Sequence, residues 1–170
     1  MAMKMRDEEI LVQPGAGETV WLRGLGARYL LAGERTEGRL ALVEHPLHPR
    51  ALGAPMHTHT REDEISYIIE GTVGIQIGER VLIAEPGATV FKSRGIPHAF
   101  WNAGDTTARI LEVITPAGFE GYFREMAALF EAAKGGLPDP AAAAALYVRY
   151  GVEMDFGSIP RLIEAHHLQG

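Results

Sequence analysis

Between residues 64 and 115 apolar and polar positions alternate in short runs broken by turn formers, as expected of half-buried strands whose side chains take opposite faces in turn. The pattern predicts strands over 64–70, 73–77, 81–84, 89–92, 98–101 and 107–115. Gly78-Glu79 has the composition of a hairpin turn, Glu85-Pro86-Gly87 places proline and glycine where a type II turn wants them, and Asn102-Ala103-Gly104-Asp105 reads as a further hairpin. Such short connections predict antiparallel neighbours. Upstream, shorter runs over 19–22, 28–31 and 39–45 follow a polar leader, residues 1–16, that ends in a turn at Gln13-Pro14-Gly15-Ala16-Gly17.

After Pro116 the period lengthens. Phe119, Tyr122, Phe123, Met126, Leu129, Phe130 and Ala133 mark one face of a helix that Gly135 and Gly136 end. Asp139 before Pro140 is an N-cap followed by a first-turn proline, so a second helix is expected over 141–150, stopped by Gly151. A third is expected over 159–167 with Ser158 as its cap. The aromatic stripe reads as packing, and the first helix stands where it can close the mouth of a barrel. The chain thus divides into an all-β unit over 1–116 and a helical extension over 117–170 packed on the same domain.

Composition narrows the class. A chain of 170 residues has room for one core and a small appendage. The net charge is −6, the three lysines (Lys4, Lys92, Lys134) are scattered, and no basic-aromatic patch occurs, which argues against a nucleic-acid partner. There is no cysteine, so neither disulfides nor thiolate chemistry enter. Residues 1–10 are charged and lack the apolar segment of a signal peptide, and nowhere do 18 apolar residues run together. A soluble, cytoplasmic protein without a membrane partner is expected.

The chemistry gathers in Gly53–Gly71. If the chain is extended there, His57 and His59 point the same way, and a short corner can bring Glu64 back to them. His98, in Pro97-His98-Ala99-Phe100-Trp101-Asn102, offers a third nitrogen. Singly, each reads more readily as a surface or hydrogen-bonded residue, or as part of the solvated charged turn Arg61 to Glu64, than as a ligand. Jointly, three imidazoles and a carboxylate suit one divalent transition metal: Fe, Mn, Ni, Co, Cu or Zn. His45 and His48 lie in a proline-restrained loop outside this pattern and are read as structural or surface residues; His166 and His167, on different faces of a helix end, are not counted as ligands.

Parity then assigns faces. With Glu64 inward, Ser66 and Ile68 follow, leaving Ile65, Tyr67 and Ile69 outward; with His98 inward, Ile96, Phe100 and Asn102 follow, leaving Trp101 outward. Phe100 and Ile68 are therefore the expected substrate-pocket residues, with the metal as the main polar anchor. No basic residue shares the inward parity on those two strands, and no second acid or base stands beside Glu64. The outward apolar set should be covered by N-terminal strands, C-terminal helices or a second subunit.

These residues resemble the two cupin motifs, Gly-x5-His-x-His-x3 or 4-Glu-x6-Gly and Gly-x5-Pro-x-Gly-x2-His-x3-Asn. His57-x-His59-x4-Glu64-x6-Gly71 matches the first, although only three residues separate Gly53 from His57. Gly87-x5-Ser93-x-Gly95-x2-His98-x3-Asn102 matches the second, with serine where the pattern has proline. The resemblance, over about residues 38 to 115, implies a double-stranded β-helix, or jelly roll, and His57, His59, Glu64 and His98 as ligands of one metal per chain. Because cupins commonly dimerise, it also implies a homodimer. The site looks like that of quercetinase-type dioxygenases, with Glu64 as ligand and catalytic base toward a small aromatic or enol-containing substrate. A non-catalytic metal-dependent binding module, or a metal-assisted isomerase or lyase, is the alternative.

Overall fold

The computed structural model describes residues 11–169. Most of the leader over residues 1–16 lies outside them, but its closing turn is present, with the Ala16 N–H donating to the Gln13 carbonyl at 2.9 Å. The strands are β1 (Thr19–Leu22), β2 (Leu25–Leu31), β3 (Ala41–Leu47), β4 (Leu52–His59), β5 (Asp63–Glu70), β6 (Val73–Ile77), β7 (Arg80–Ala84), β8 (Thr89–Lys92), β9 (His98–Asn102), β10 (Ala108–Thr115) and β11 (Val152–Asp155). The helices are α1 (Glu120–Ala132), α2 (Pro140–Tyr150) and α3 (Ser158–His166), with a short 3-10 turn at Gly33–Thr36.

Two antiparallel sheets face each other, β1-β2-β3-β10-β5-β8 and β11-β4-β9-β6-β7, in the jelly-roll arrangement of the cupin fold. Only some of the short turns join partners. β6 and β7 form the expected hairpin, and Gly87 takes φ +92° in a turn whose Ala88 N–H donates to the Glu85 carbonyl at 2.9 Å, as a type II turn requires. Yet that turn carries the chain from one sheet to the other, and so does the stretch after Asn102, where a hairpin was expected. Asn102 explains the corner: its fully buried amide donates to the carbonyls of Leu47, His48 and Thr106, so the chain folds across the barrel's end instead of turning back on itself.

Alternation buries one face of each strand. Glu64, Ser66 and Ile68 point inward while Tyr67 is exposed, and β10 buries every second residue from Ala108 to Ile114. Ile96 departs from its expected inward place, being 43% exposed, because it lies in the turn before β9 and strand parity does not apply there. Trp101 faces out of the barrel as expected and is only 1% exposed, because α3 covers it. Leu162 and Leu168 pack in its cluster and His166 stacks on its ring at 4.0 Å between centroids. Burying so large an apolar side chain contributes roughly 1.5–3 kcal/mol or more, enough to dock the tail.

The tail also adds to the sheet. β11, which periodicity did not predict, pairs antiparallel with β4, Val152 opposite His59 and Met154 opposite His57. α1 and α2 lay Phe119, Tyr122, Phe123, Met126 and Leu146 on the barrel core, and the Asp139 carboxylate caps α2 by accepting from the Ala142 N–H at 2.8 Å. The extension is therefore a lid over one end of the barrel, tied to the strand that carries two histidines. No helix among the described residues is long and apolar enough to cross a membrane.

Candidate metal centre

His57 and His59, two apart on extended β4, both turn inward; His98 opens β9 opposite His57 in the ladder, and Glu64 is the second residue of β5. The fold brings these four expected ligands together. Their donor atoms lie within 4.8 Å of one another and all four residues are buried. Nε2 of His59 stands 3.4 Å from Glu64 Oε1, and Nε2 of His98 3.3 Å from Glu64 Oε2.

Hydrogen bonds aim the rings. Nδ1 of His57 faces the Pro55 carbonyl at 2.8 Å and Nδ1 of His98 the Ile96 carbonyl at 3.0 Å, which places the proton on Nδ1 and leaves each Nε2 lone pair for a metal. Nε2 of both His59 and His98 is buried without a hydrogen-bond partner. Buried ring nitrogens left unpaired are costly unless something binds them, so the donor set fits a metal. Burial first, then the neighbouring imidazoles, hold His57 well below its usual pKa, and burial does the same more mildly for His98, so both are neutral, as ligation requires. Burial pushes Glu64 upward, but Lys92, His59 and His98 outweigh it and hold the carboxyl well below its usual range. Three imidazoles and a carboxylate so gathered suit one divalent transition metal whose identity the donors leave open.

Beside it lies a charged network that strand-by-strand parity missed. Lys92, opposite Glu64 in the β5–β8 ladder, is 2% exposed, with Nζ 2.8 Å from Glu64 Oε2 and 2.9 Å from Glu112 Oε2. Burial works against its charge, but Glu112 and Glu64 prevail and raise its pKa to about 12. Glu112 Oε2 also accepts the Ser66 hydroxyl at 2.8 Å, while Oε1 is buried and unpartnered. Burial, and the charge of Glu64, raise Glu112 to about 7 against the pull of Lys92.

The expectation that no second acid or base stands near Glu64 is therefore corrected, and so is the picture of a pocket whose main polar anchor is the metal. Both residues were within reach of the sequence: Lys92 alternates with Val90 against outward Thr89 and Phe91, and Glu112 falls on the inward parity of Ile110 and Ile114.

A cavity of about 930 Å³ rises from this floor. Phe100 lines it, with Phe119 at the N-cap of α1 and Tyr122 and Phe123 within that helix, and Leu137 and Phe156 reach its wall from the tail. Gly53 matters here because a Cβ on it would meet the Phe100 ring at 2.3 Å. Ile68 does not line the cavity. It is 0% exposed in the core cluster, opposite Ile110, further along β5 than Glu64 and Ser66, and is sealed among other apolar side chains. His45 is buried on the cavity wall with Nδ1 on the Gly26 carbonyl at 2.8 Å, and His48 packs against Trp21; neither joins the ligand cluster.

Residues 44–114 match the cupin domain family, a span that ends before the helical tail. No curated protein sequence matches the chain. Among solved structures, KdgF from Halomonas sp. is similar with a TM-score of 0.53 and 17% identity, over 59% of this chain and 89% of that one. A predicted oxalate decarboxylase from Thermotoga maritima is similar with a TM-score of 0.52 and 25% identity, over 54% and 80%. The oxalate decarboxylase of Bacillus subtilis aligns with a TM-score of 0.51 and 25% identity, over 59% of this chain but only 27% of its own length.

Proposed function

We propose that this chain, whose barrel is a cupin domain, is a metal-dependent oxidoreductase of the dioxygenase type acting on a small aromatic or enol-containing substrate. One observation carries the reading: His57, His59 and Glu64 of the four-donor cluster line the floor of a cavity of about 930 Å³ whose wall carries several aromatic side chains, a shape that suits a planar organic molecule with a chelating oxygen pair. A bound divalent metal supplies Lewis acidity and, if it is redox-active, a meeting place for the substrate and dioxygen. The chain's own part is to hold and move a proton. Glu64, kept ionised by Lys92, is placed to take the proton of a substrate enol or phenol, and Glu112 Oε1, the free oxygen beside it, is placed to receive or return one. Phe100 packs on the substrate's plane, and the lid of α1 and α2 keeps water from the reacting atoms.

A metal-assisted lyase is the second reading, favoured by the likeness to the oxalate decarboxylases at 25% identity. The wall argues against so small and charged a substrate: its basic side chains are Arg23 and Lys92, and Lys92 is already committed to two carboxylates. The third reading is a binding module without turnover.

Metal analysis of protein purified without chelator or nickel column, then an oxygen-uptake screen with flavonols, diketones and catechols, separates them. Uptake that needs the metal and is lost in His98→Ala supports the dioxygenase. Product formed without oxygen supports the lyase, and saturable binding with no product the binding module. In this reading the protein works in the cytoplasm as a homodimer. Tyr67 and Phe91, exposed on the outer face of the six-stranded sheet, are the apolar side chains a second subunit would cover. Sedimentation showing a monomer at micromolar concentration would remove the dimer from it.

A further inference from the structure

The three histidine ligands are not held alike. His57 and His98 each set Nδ1 against the backbone carbonyl two residues before them, whereas Nδ1 of His59 has no hydrogen-bond partner and faces Glu62 Oε2 at 3.8 Å. Glu62 is 5% exposed, and that same oxygen is also unpartnered. Two buried orphans of complementary chemistry thus face each other across a gap that a shift of roughly 1 Å closes to hydrogen-bond length. Left as they are, both groups are desolvated without return.

The turn that carries Glu62 is fastened on both sides. Before it, the Thr60 N–H and hydroxyl donate to the Gly151 carbonyl at 2.9 and 2.7 Å, and Arg61 Nη1 to the Arg149 carbonyl at 2.8 Å. After it, Asp63 Oδ1 accepts the Arg94 N–H at 2.8 Å. A buried carboxylate on a turn so restrained is a built feature.

We propose that Glu62 is the positioning carboxylate of His59. When Nε2 of His59 ligates the metal its proton must sit on Nδ1, and Glu62 accepts that N–H, fixing the tautomer and the orientation of the ring. The inference rests on the metal reading of the site and adds to it a residue outside the donor set.

The test compares the parent protein with Glu62→Ala and Glu62→Gln, loading each with Co²⁺ in competition with a chelator of known affinity and following the cobalt absorption bands. Glu62→Ala should bind Co²⁺ on the order of 10- to 100-fold more weakly, with altered bands, and Glu62→Gln, which keeps an acceptor, should fall between. The metal-free Glu62→Ala protein should melt no lower than the metal-free parent, because the deleted carboxylate is unpaired there. Equal Co²⁺ affinity in parent and Glu62→Ala overturns the inference and leaves the metal reading standing. A metal-free Glu62→Ala protein that melts well below the parent overturns it too, assigning Glu62 to the fold. A parent that binds no Co²⁺ sinks the metal reading, and this inference with it.

Discussion

His45 packs edge-on against Phe123 of α1 at 4.9 Å between ring centroids, its Nδ1 on the Gly26 carbonyl, and burial lowers its pKa to about 4. The unfolded chain protonates this imidazole near pH 6.5, so below that pH it gains a proton that the folded state refuses. Stability is therefore full above pH 6.5 and is lost as the pH falls toward about 4, by an amount on the order of 3 kcal/mol. Denaturant melts of chelator-treated protein should show this slope reduced in His45→Asn, whose amide retains a donor for Gly26; parallel slopes in parent and variant would refute it. Phe100 sets a second expectation at this scale. Because its ring borders the open cavity and ligates nothing, Phe100→Ala should weaken binding of a flavonol or diketone while metal content stays near one per chain. Loss of metal would mean that the ring props the ligands. The four ligands were legible because a fixed spacing announces them; parity alone could have turned Lys92 and Glu112 inward, but neither they nor Glu62 stood out as part of a site, since a buried charge reads as solvated until its partner on another strand is known. Lys92 acquires its meaning only from the register that sets it opposite Glu64.

At the level of elements, Gly151 adds to the β11–β4 pairing a second hold of the tail, on the turn that follows the metal strand. Gly151 ends α2 at φ +63°, its carbonyl takes both Thr60 bonds, and a Cβ placed on it would meet Thr60 Oγ1 at 2.6 Å. Gly151→Ala thus meets a left-handed backbone penalty, about 1 kcal/mol, and a collision with the turn before Glu62. It should lower the thermal midpoint and weaken metal binding together. Asp139→Ala, which removes only the cap at the far end of α2, should cost about 1 kcal/mol and leave metal affinity unchanged. If both variants behave alike, the Gly151 contact has no hold on the site. α1 and α2 were legible from period and caps. β11 was not, because Val-Glu-Met-Asp is short and too polar to call a strand, and it becomes one only by docking on β4. The sheet-crossing turns were hidden for a related reason: local composition marks a turn without saying which sheet receives the chain.

For the whole molecule the question is how the barrel stays folded when the metal is gone. Its main apolar cluster spans both sheets and the helical lid without involving the ligands, which separates it from small domains that unfold on chelation. Electrostatics point the same way. Two buried carboxylates, Glu64 and Glu112, share the Lys92 ammonium, so removing the metal leaves Glu64 with a cation at 2.8 Å. The chelated parent should therefore keep its far-ultraviolet circular dichroism and a cooperative melt, with metal raising the midpoint only by the linkage of binding to folding. Lys92→Met changes that balance. Metal still offsets Glu64 in the loaded variant, but in the metal-free variant Glu112 takes up a proton and Glu64 is left buried with no cation, a loss on the order of 3–5 kcal/mol for a broken buried pair. The gap between loaded and metal-free midpoints should be clearly wider in Lys92→Met than in the parent. An unchanged gap would show that the ammonium does not stand in for the metal, and that the empty site is stabilised by packing alone.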